Sequence, residues 1–317
     1  AVQQIYLDNT TSEQTLAVFK FASNNVENIE IDTIALGQNG TTNNESVSMY
    51  KLYKGSATTP FRTVSNDGQA TTTITLASGE LVIPKNDNVK VTVKAVMNDI
   101  DGTVVVNGNT VIVQLGSTTA TGLASQSTSL GDDEAYKTIG GVIYEAYPSI
   151  AFDSSTTGIG SAITGNSSQL VARLNVTNPG NKDVTFEGAD SDQISVQLVV
   201  IGDDTDTATE ALTLKDENGT VLASTTFSSA SGTTQEDFDF KGTGTNLTYT
   251  IPAGATKTLY IYADTADLED NGDLIQITLD DAAADVTFGI SNTGAFTEGD
   301  IIFRGDPAGP VLRYTTT

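Results

Sequence analysis

The chain has 317 residues, of which 38% are apolar, 17% charged and 7% aromatic, with no Cys, His or Trp. A formal charge of −25 and a pI near 4.1 set it against nucleic acid and anionic lipid, both of which demand basic surfaces. Without Cys or His, disulfide staples, thiolate or imidazole metal sites and Ser–His or Cys–His catalytic sets are excluded.

The chain opens at Ala1-Val2-Gln3-Gln4. A small first residue is what signal-peptide cleavage leaves, so export to the cell surface is the expectation. No apolar run approaches the roughly 18 residues a bilayer span needs, and membrane insertion is not expected. Strand signals then dominate. Leu16-Ala17-Val18-Phe19-Lys20-Phe21, Val89-Lys90-Val91-Thr92-Val93, Gln193 to Leu198 and Thr258-Leu259-Tyr260-Ile261-Tyr262 all alternate with period two, the mark of a half-buried strand. Asn-Gly pairs at 39–40, 107–108, 218–219 and 271–272 read as tight turns, because both residues tolerate positive φ. Helical periodicity is absent. The pattern predicts an all-β chain of two tandem Ig-like β-sandwich domains.

An internal repeat supports the division. Val82-Ile83-Pro84 followed by Val91-Thr92-Val93 recurs as Thr250-Ile251-Pro252 followed by Leu259-Tyr260-Ile261. Earlier, Ala17 to Phe21 matches Ala172 to Val176, Ile29-Glu30-Ile31 matches Val184-Thr185-Phe186, and Ile5-Tyr6-Leu7-Asp8 matches Ile150-Ala151-Phe152-Asp153. The first domain is placed at 1–118, with 1–14 as an N-terminal strand open to exchange with a neighbouring subunit. A Ser/Thr/Gly-rich connection with a junction strand covers 119–147, and the second domain 148–317.

The join between the domains, Gly140-Gly141-Val142-Ile143-Tyr144, resembles the C-terminal Gly309-Pro310-Val311-Leu312-Arg313-Tyr314. Bringing the C-terminus of one copy before the N-terminus of another therefore recreates the internal seam. This reads either as head-to-tail assembly, open and heterologous, or as plain tandem duplication. On the first reading Val2, Ile5 and Leu7 form an assembly strand, received by Val311, Leu312 and Tyr314 of the next copy.

The order Phe19-Lys20-Phe21, Ile29-Glu30-Ile31, Leu52-Tyr53-Lys54-Gly55, Ile83-Pro84, together with Ala146-Tyr147-Pro148-Ser149-Ile150-Ala151 and Gly305-Asp306-Pro307-Ala308-Gly309-Pro310-Val311-Leu312, resembles the tandem β-sandwich modules of bacterial and archaeal surface-layer and appendage proteins, notably those of uncultivated Patescibacteria. The resemblance implies location and architecture, and no catalytic set. A homopolymer, as a filament or a surface layer, is the expected assembly. A surface adhesin or glycan-binding module is the alternative, with Tyr136, Tyr144 and Tyr147 near the junction as its contact residues.

No phosphate loop is present, and few aromatics are available to line a sugar cleft, so an enzyme is not expected. No cofactor is required. Acidic turns at Asp264, Asp267, Glu269, Asp270 and Asp273, at Asp203, Asp204, Asp206 and Glu210, and at Asp132, Asp133 and Glu134 supply oxygen ligands of the kind Ca²⁺ takes, or else serve as solvated loops. Asn-x-Ser/Thr sequons stand at Asn9, Asn39, Asn44, Asn166, Asn175, Asn218 and Asn246. Asn39, Asn44 and Asn218 in polar turns and Asn175 on the outer face of its strand are the candidate glycosylation sites. Arg304-Gly305-Asp306 reads as a turn before Pro307. Lys20 and Lys94 are the strand lysines on which an intramolecular isopeptide bond would have to be built.

Overall fold

The computed structural model describes residues 4–7, 13–40, 44–66, 68–100, 105, 107–128, 136–137, 140–153, 159, 161–202, 208–241, 247–279, 286–290, 293–297 and 308–314. They fold as an all-β chain in two compact units, 1–144 and 145–317. The only helical element among them is a 3₁₀ turn at Gly188–Asp190.

Unit 1 comprises β1 (Gln4–Leu7), β2 (Glu13–Ala22), β3 (Ile29–Gly40), β4 (Val47–Lys54), β5 (Arg62–Ser65), β6 (Thr71–Thr75), β7 (Val82–Ile83), β8 (Asn88–Met97), β9 (Asn109–Gly122), β10 (Tyr136–Lys137) and β11 (Gly141–Tyr144). Unit 2 comprises β12 (Ser149–Phe152), β13 (Gln169–Thr177), β14 (Val184–Glu187), β15 (Gln193–Ile201), β16 (Thr209–Lys215), β17 (Val221–Ser228), β18 (Gly232–Asp239), β19 (Thr248–Ile251), β20 (Thr256–Ala263), β21 (Leu274–Thr278), β22 (Val286–Ile290), β23 (Thr293–Thr297) and β24 (Ala308–Arg313).

In unit 1 one sheet runs β1-β11-β9-β3-β6, with β10 on β9 and β7 on β3; the other runs β2-β8-β4-β5. Alternation drives the packing. Along β2, Ala17, Phe19 and Phe21 turn inward while Val18 and Lys20 stay exposed. They meet Val91, Val93 and Ala95 from β8 and Ile31, Ile34, Leu36, Val113 and Leu115 from the facing sheet in one core. Each large side chain so buried contributes roughly 1.5–3 kcal/mol. Unit 2 repeats the plan: β12-β13-β20-β16-β17 in one sheet and β19-β14-β22-β15-β21-β24 in the other, with β18 on β15 and β23 on β22. Leu174, Leu214 and Ile261 from the first and Phe186, Leu198, Ile275 and Phe288 from the second are fully buried.

The repeat holds at the level of register. Phe19 faces Val91 and Ala17 faces Val93, as Leu174 faces Leu259 and Ala172 faces Ile261. Ile29 faces Ile83, as Val184 faces Ile251. After the shared Ile-Pro the two turns match as well. The Asp87 N–H donates to the Pro84 carbonyl and the Ala255 N–H to that of Pro252, with Asn86 (φ 58) and Gly254 (φ 69) in the left-handed region between them.

Several expectations are corrected. Position 118 lies inside β9 and the junction strand β11 pairs with β9, so the first unit runs on to Tyr144. Asn39 and Gly40 are not a turn: β3 continues through them, with Gly40 opposite Val111 and the Asn39 amide donating to Gln114. Asn218-Gly219 does form the β16–β17 hairpin. Gly219 sits at φ 81, and the Asp216 carboxylate accepts the Asn218 and Thr220 N–H groups at 2.9 and 2.7 Å. Finally, Ile5–Asp8 and Ile150–Asp153 match in sequence but not in place. β1 lies beside β11 in the larger sheet, whereas β12 lies beside β13 in the smaller one.

Candidate functional site

In an all-β chain without Cys or His, the chain ends and sheet edges are the natural place to look for function. β11 is the last strand of unit 1 and takes two partners: β9 antiparallel and β1 parallel, with Gln4 opposite Gly141, Ile5 opposite Val142, Tyr6 opposite Ile143 and Leu7 opposite Tyr144. The last strand of unit 2 does likewise. β24 pairs antiparallel with β21, and Arg313 forms a parallel bridge to Ala162, with the Ile163 N–H donating to Arg313 O at 2.9 Å and the Arg313 N–H to Ser161 O at 3.0 Å. In each sandwich the last strand thus makes a parallel contact with a segment ahead of the long strand β2 or β13.

The residues of the assembly expectation take the following places within one chain. Ile5 and Leu7 are held by β11 of their own chain, and Val2 lies outside the described residues. Of the predicted acceptor, Leu312 is fully buried opposite Ile275. Tyr314 exchanges backbone hydrogen bonds with Gly272 and Asp273. Only Val311 is exposed, at 36%. The outer edge of β24 is bridged to Ala162 at Arg313.

The acidic turn at 264–273 is built for the backbone. Asp264 accepts the Ala266 N–H at 3.0 Å, and Asp273, 6% exposed, accepts the Asp270 N–H at 2.9 Å. Among the described residues no three carboxylates gather into a set that could hold a metal ion. Of Asp264, Asp267, Glu269, Asp270 and Asp273, the first and last direct a carboxylate oxygen to separate N–H groups of the turn. Asp203, Asp204 and Asp206, and Asp132, Asp133 and Glu134, lie outside the described residues, as does Arg304-Gly305-Asp306.

Of the sequons, Asn39, Asn166 and Asn218 are exposed and Asn44 is half-buried in a turn. Asn175 is half-buried on β13 and accepts the Thr258 hydroxyl at 2.9 Å, so the neighbouring strand partly covers its outward face. Asn9 and Asn246 lie outside the described residues. The tyrosine contact set is corrected too: Tyr144 is 1% exposed and presents no ring to solvent, whereas Tyr136 is 46% exposed.

Lys20 is exposed and cannot form a buried isopeptide bond. Lys94 lies 4.5 Å from the centre of the Tyr53 ring and 3.6 Å from Glu13. Glu13 also accepts from Lys51 Nζ and Tyr53 Oη, both at 2.6 Å. The Lys51 hydrogen bond, with that of Tyr53, holds the Glu13 carboxyl below its ordinary range.

Sequence reasoning passed over Asp192, the one buried carboxylate in an inserted turn between β14 and β15. It is fully buried. One oxygen accepts the Glu187 N–H at 2.8 Å and the other has no partner. Burial, reinforced by Asp190, Glu187 and Asp239 against the Glu187 hydrogen bond, pushes its pKa up to about 6. The break of Gly188 to Asp192 in an otherwise alternating stretch from Val184 to Ile201 was the available signal.

No family model and no curated protein matches the chain. Among solved structures it is similar to "BspA_C_WT", at 8% identity and a TM-score of 0.27 over 93% of both chains. It is similar to "Biofilm associated protein - BSP domain", at 10% identity and a TM-score of 0.25, over 90% of this chain and 55% of the other. A β-glucuronidase of Ruminococcus gnavus follows, at 10% identity and a TM-score of 0.18, over 89% of this chain and 33% of the enzyme. The functional reading rests on the chain's own geometry and not on these likenesses.

Proposed function

We propose that the chain is a structural segment of an extracellular, cell-surface assembly, a filament or layer, in which tandem β-sandwiches act as repeated building blocks. Contacts between blocks are made by β-strand pairing and not by chemistry at a catalytic centre. The observation that carries this is a feature shared by both units, in which the last strand pairs antiparallel on one side and is met in parallel on the other by a segment lying just ahead of the unit's first long strand. Sheet edges offer backbone donors and acceptors to any extended strand, giving affinity and register together. A surface of net charge −25 keeps such blocks soluble until edges meet.

Electron microscopy of the purified protein tests the reading. Ordered fibres or lattices are expected. Dispersed monomers that bind glycans on an array would replace it with an adhesin.

A further inference from the structure

The two units differ at one edge. In unit 2, β12 covers the outer edge of β13, running antiparallel with Ile150 opposite Val176, Ala151 opposite Asn175 and Phe152 opposite Leu174. Ile150 is thereby buried to 5%, and Val176 and Leu174 are fully buried. By the shared register the same positions on β2 are Phe21, Lys20 and Phe19. There β2 ends its sheet with β8 as its single strand partner among the described residues. Instead of a strand, a cleft of about 350 Å³ opens beside β2, lined by Phe19, Phe21, Ile31, Ile83 and Leu115 and flanked by the exposed Val18. Val18 is 57% exposed.

Among the described residues of unit 1 no strand takes the place that β12 takes in unit 2. In unit 2 the stretch from Ser149 to Ser168, the residue before β13, holds both β12 and, at Ala162, the parallel bridge to Arg313. In unit 1 the one described strand before β2, β1, is laid along β11. Among the described residues β1 takes the β11 edge, and the outer edge of β2 has no strand on it.

We infer that the β2 edge of unit 1 is an acceptor site for an extended strand from another polypeptide. That strand lies antiparallel to β2 and carries large apolar side chains at alternate positions, as Ile150 and Phe152 do in β12. Its backbone completes the smaller sheet, and its two apolar side chains fill the cleft between the sheets. The inference deepens the assembly reading and rests on it, since it names the edge at which one block receives a strand.

The chain has no cysteine, which permits a register-specific test on the full chain. Lys20→Cys, at an exposed position, is incubated in a thiol–disulfide buffer with a synthetic peptide of the sequence of residues 147–153 in which Ala151 is replaced by Cys. Directly opposed residues on antiparallel strands bring their Cβ atoms close enough for a disulfide. A 1:1 adduct is expected, falling about tenfold or more when the peptide's Ile and Phe are both replaced by Ser. Equal adduct with both peptides overturns the proposal. So does an intrachain disulfide in the double variant Tyr6→Cys/Lys20→Cys, which would make the chain's own N-terminal strand the occupant. So does faster capture of a Lys20→Cys homodimer, which would make a second copy's β2 the occupant. Fibres without peptide capture would leave the assembly reading standing and remove this edge from it. Peptide capture by a protein that never assembles would do the reverse.

Discussion

Leu16 and Val171 occupy one place in two sandwiches. Each is the residue that its strand leaves out of register with the partner strand, between Thr15 and Ala17 on β2 and between Leu170 and Ala172 on β13. Each is nonetheless buried, at 6% and 1% exposure. A bulge adds one residue without a partner and sets the facing of all residues beyond it. Preserving it at the same position keeps Ala17, Phe19 and Phe21, and Ala172, Leu174 and Val176, on the core side.

Deleting Val171 should therefore cost far more than trimming it. Loss of one residue moves the following strand by one position and turns Leu174 and Val176 to the wrong face. Calorimetry of the full chain is expected to lose the unit 2 transition and keep that of unit 1. Leu174→Ala, which leaves register intact, should cost about 2–5 kcal/mol. A deletion variant with both transitions unchanged would show that the bulge is dispensable.

Asp192 gives unit 2 a pH dependence of definite sign. Its folded pKa, raised to about 6 from 3.8, means that the folded state favours the protonated carboxyl. This stabilising contribution is complete below about pH 3.8 and is lost as pH rises through about 6. Asp192→Asn does not titrate. Its melting temperature relative to wild type should climb between pH 4 and pH 6.5 and level off above. A difference that stays constant across that window would contradict the buried, ionising carboxylate.

The turn before β21 should depend on Asp273 and not on calcium. Removing the carboxylate that accepts the Asp270 N–H leaves a turn donor without its partner, at a cost of about 1–2 kcal/mol. Asp273→Ala should lower the melting temperature by the same amount in calcium and in chelator. A loss seen only with calcium present would restore a cation to this turn.

Removing residues 1–7 should expose β11. Its parallel partner gone, unit 1 is expected to melt earlier and to aggregate through the freed edge, while the unit 2 transition holds. Light scattering alongside calorimetry separates the two effects. Unchanged unit 1 stability would mean that β1 adds nothing to the sandwich.

Much of the fold was legible in the residues. The alternation of Ala17-Val18-Phe19-Lys20-Phe21 and of Leu259-Tyr260-Ile261 specifies strand and buried face, because side chains on a strand point to opposite faces in turn and this pattern is local. The match of Ile83-Pro84 to Ile251-Pro252 likewise located equivalent strands, and their partners proved to be in one register. Asn39-Gly40 misled, since an Asn-Gly pair permits a turn without requiring one, and pairing with β9 carried the strand through it.

The sequence by itself determined that the chain is two copies of one all-β plan, with apolar residues spaced to face a core in each. Only the tertiary structure decided which edge each strand takes. Ile5-Tyr6-Leu7-Asp8 and Ile150-Ala151-Phe152-Asp153 carry the same alternation yet lie in different sheets, because edge pairing is made by backbone groups common to every residue and is settled by which edge lies within reach. The burial of Asp192 and the dispersal of the carboxylates from Asp264 to Asp273 are of the same kind. Both depend on where distant strands bring the turn, and a carboxylate's neighbours in space are not written in its neighbours along the chain.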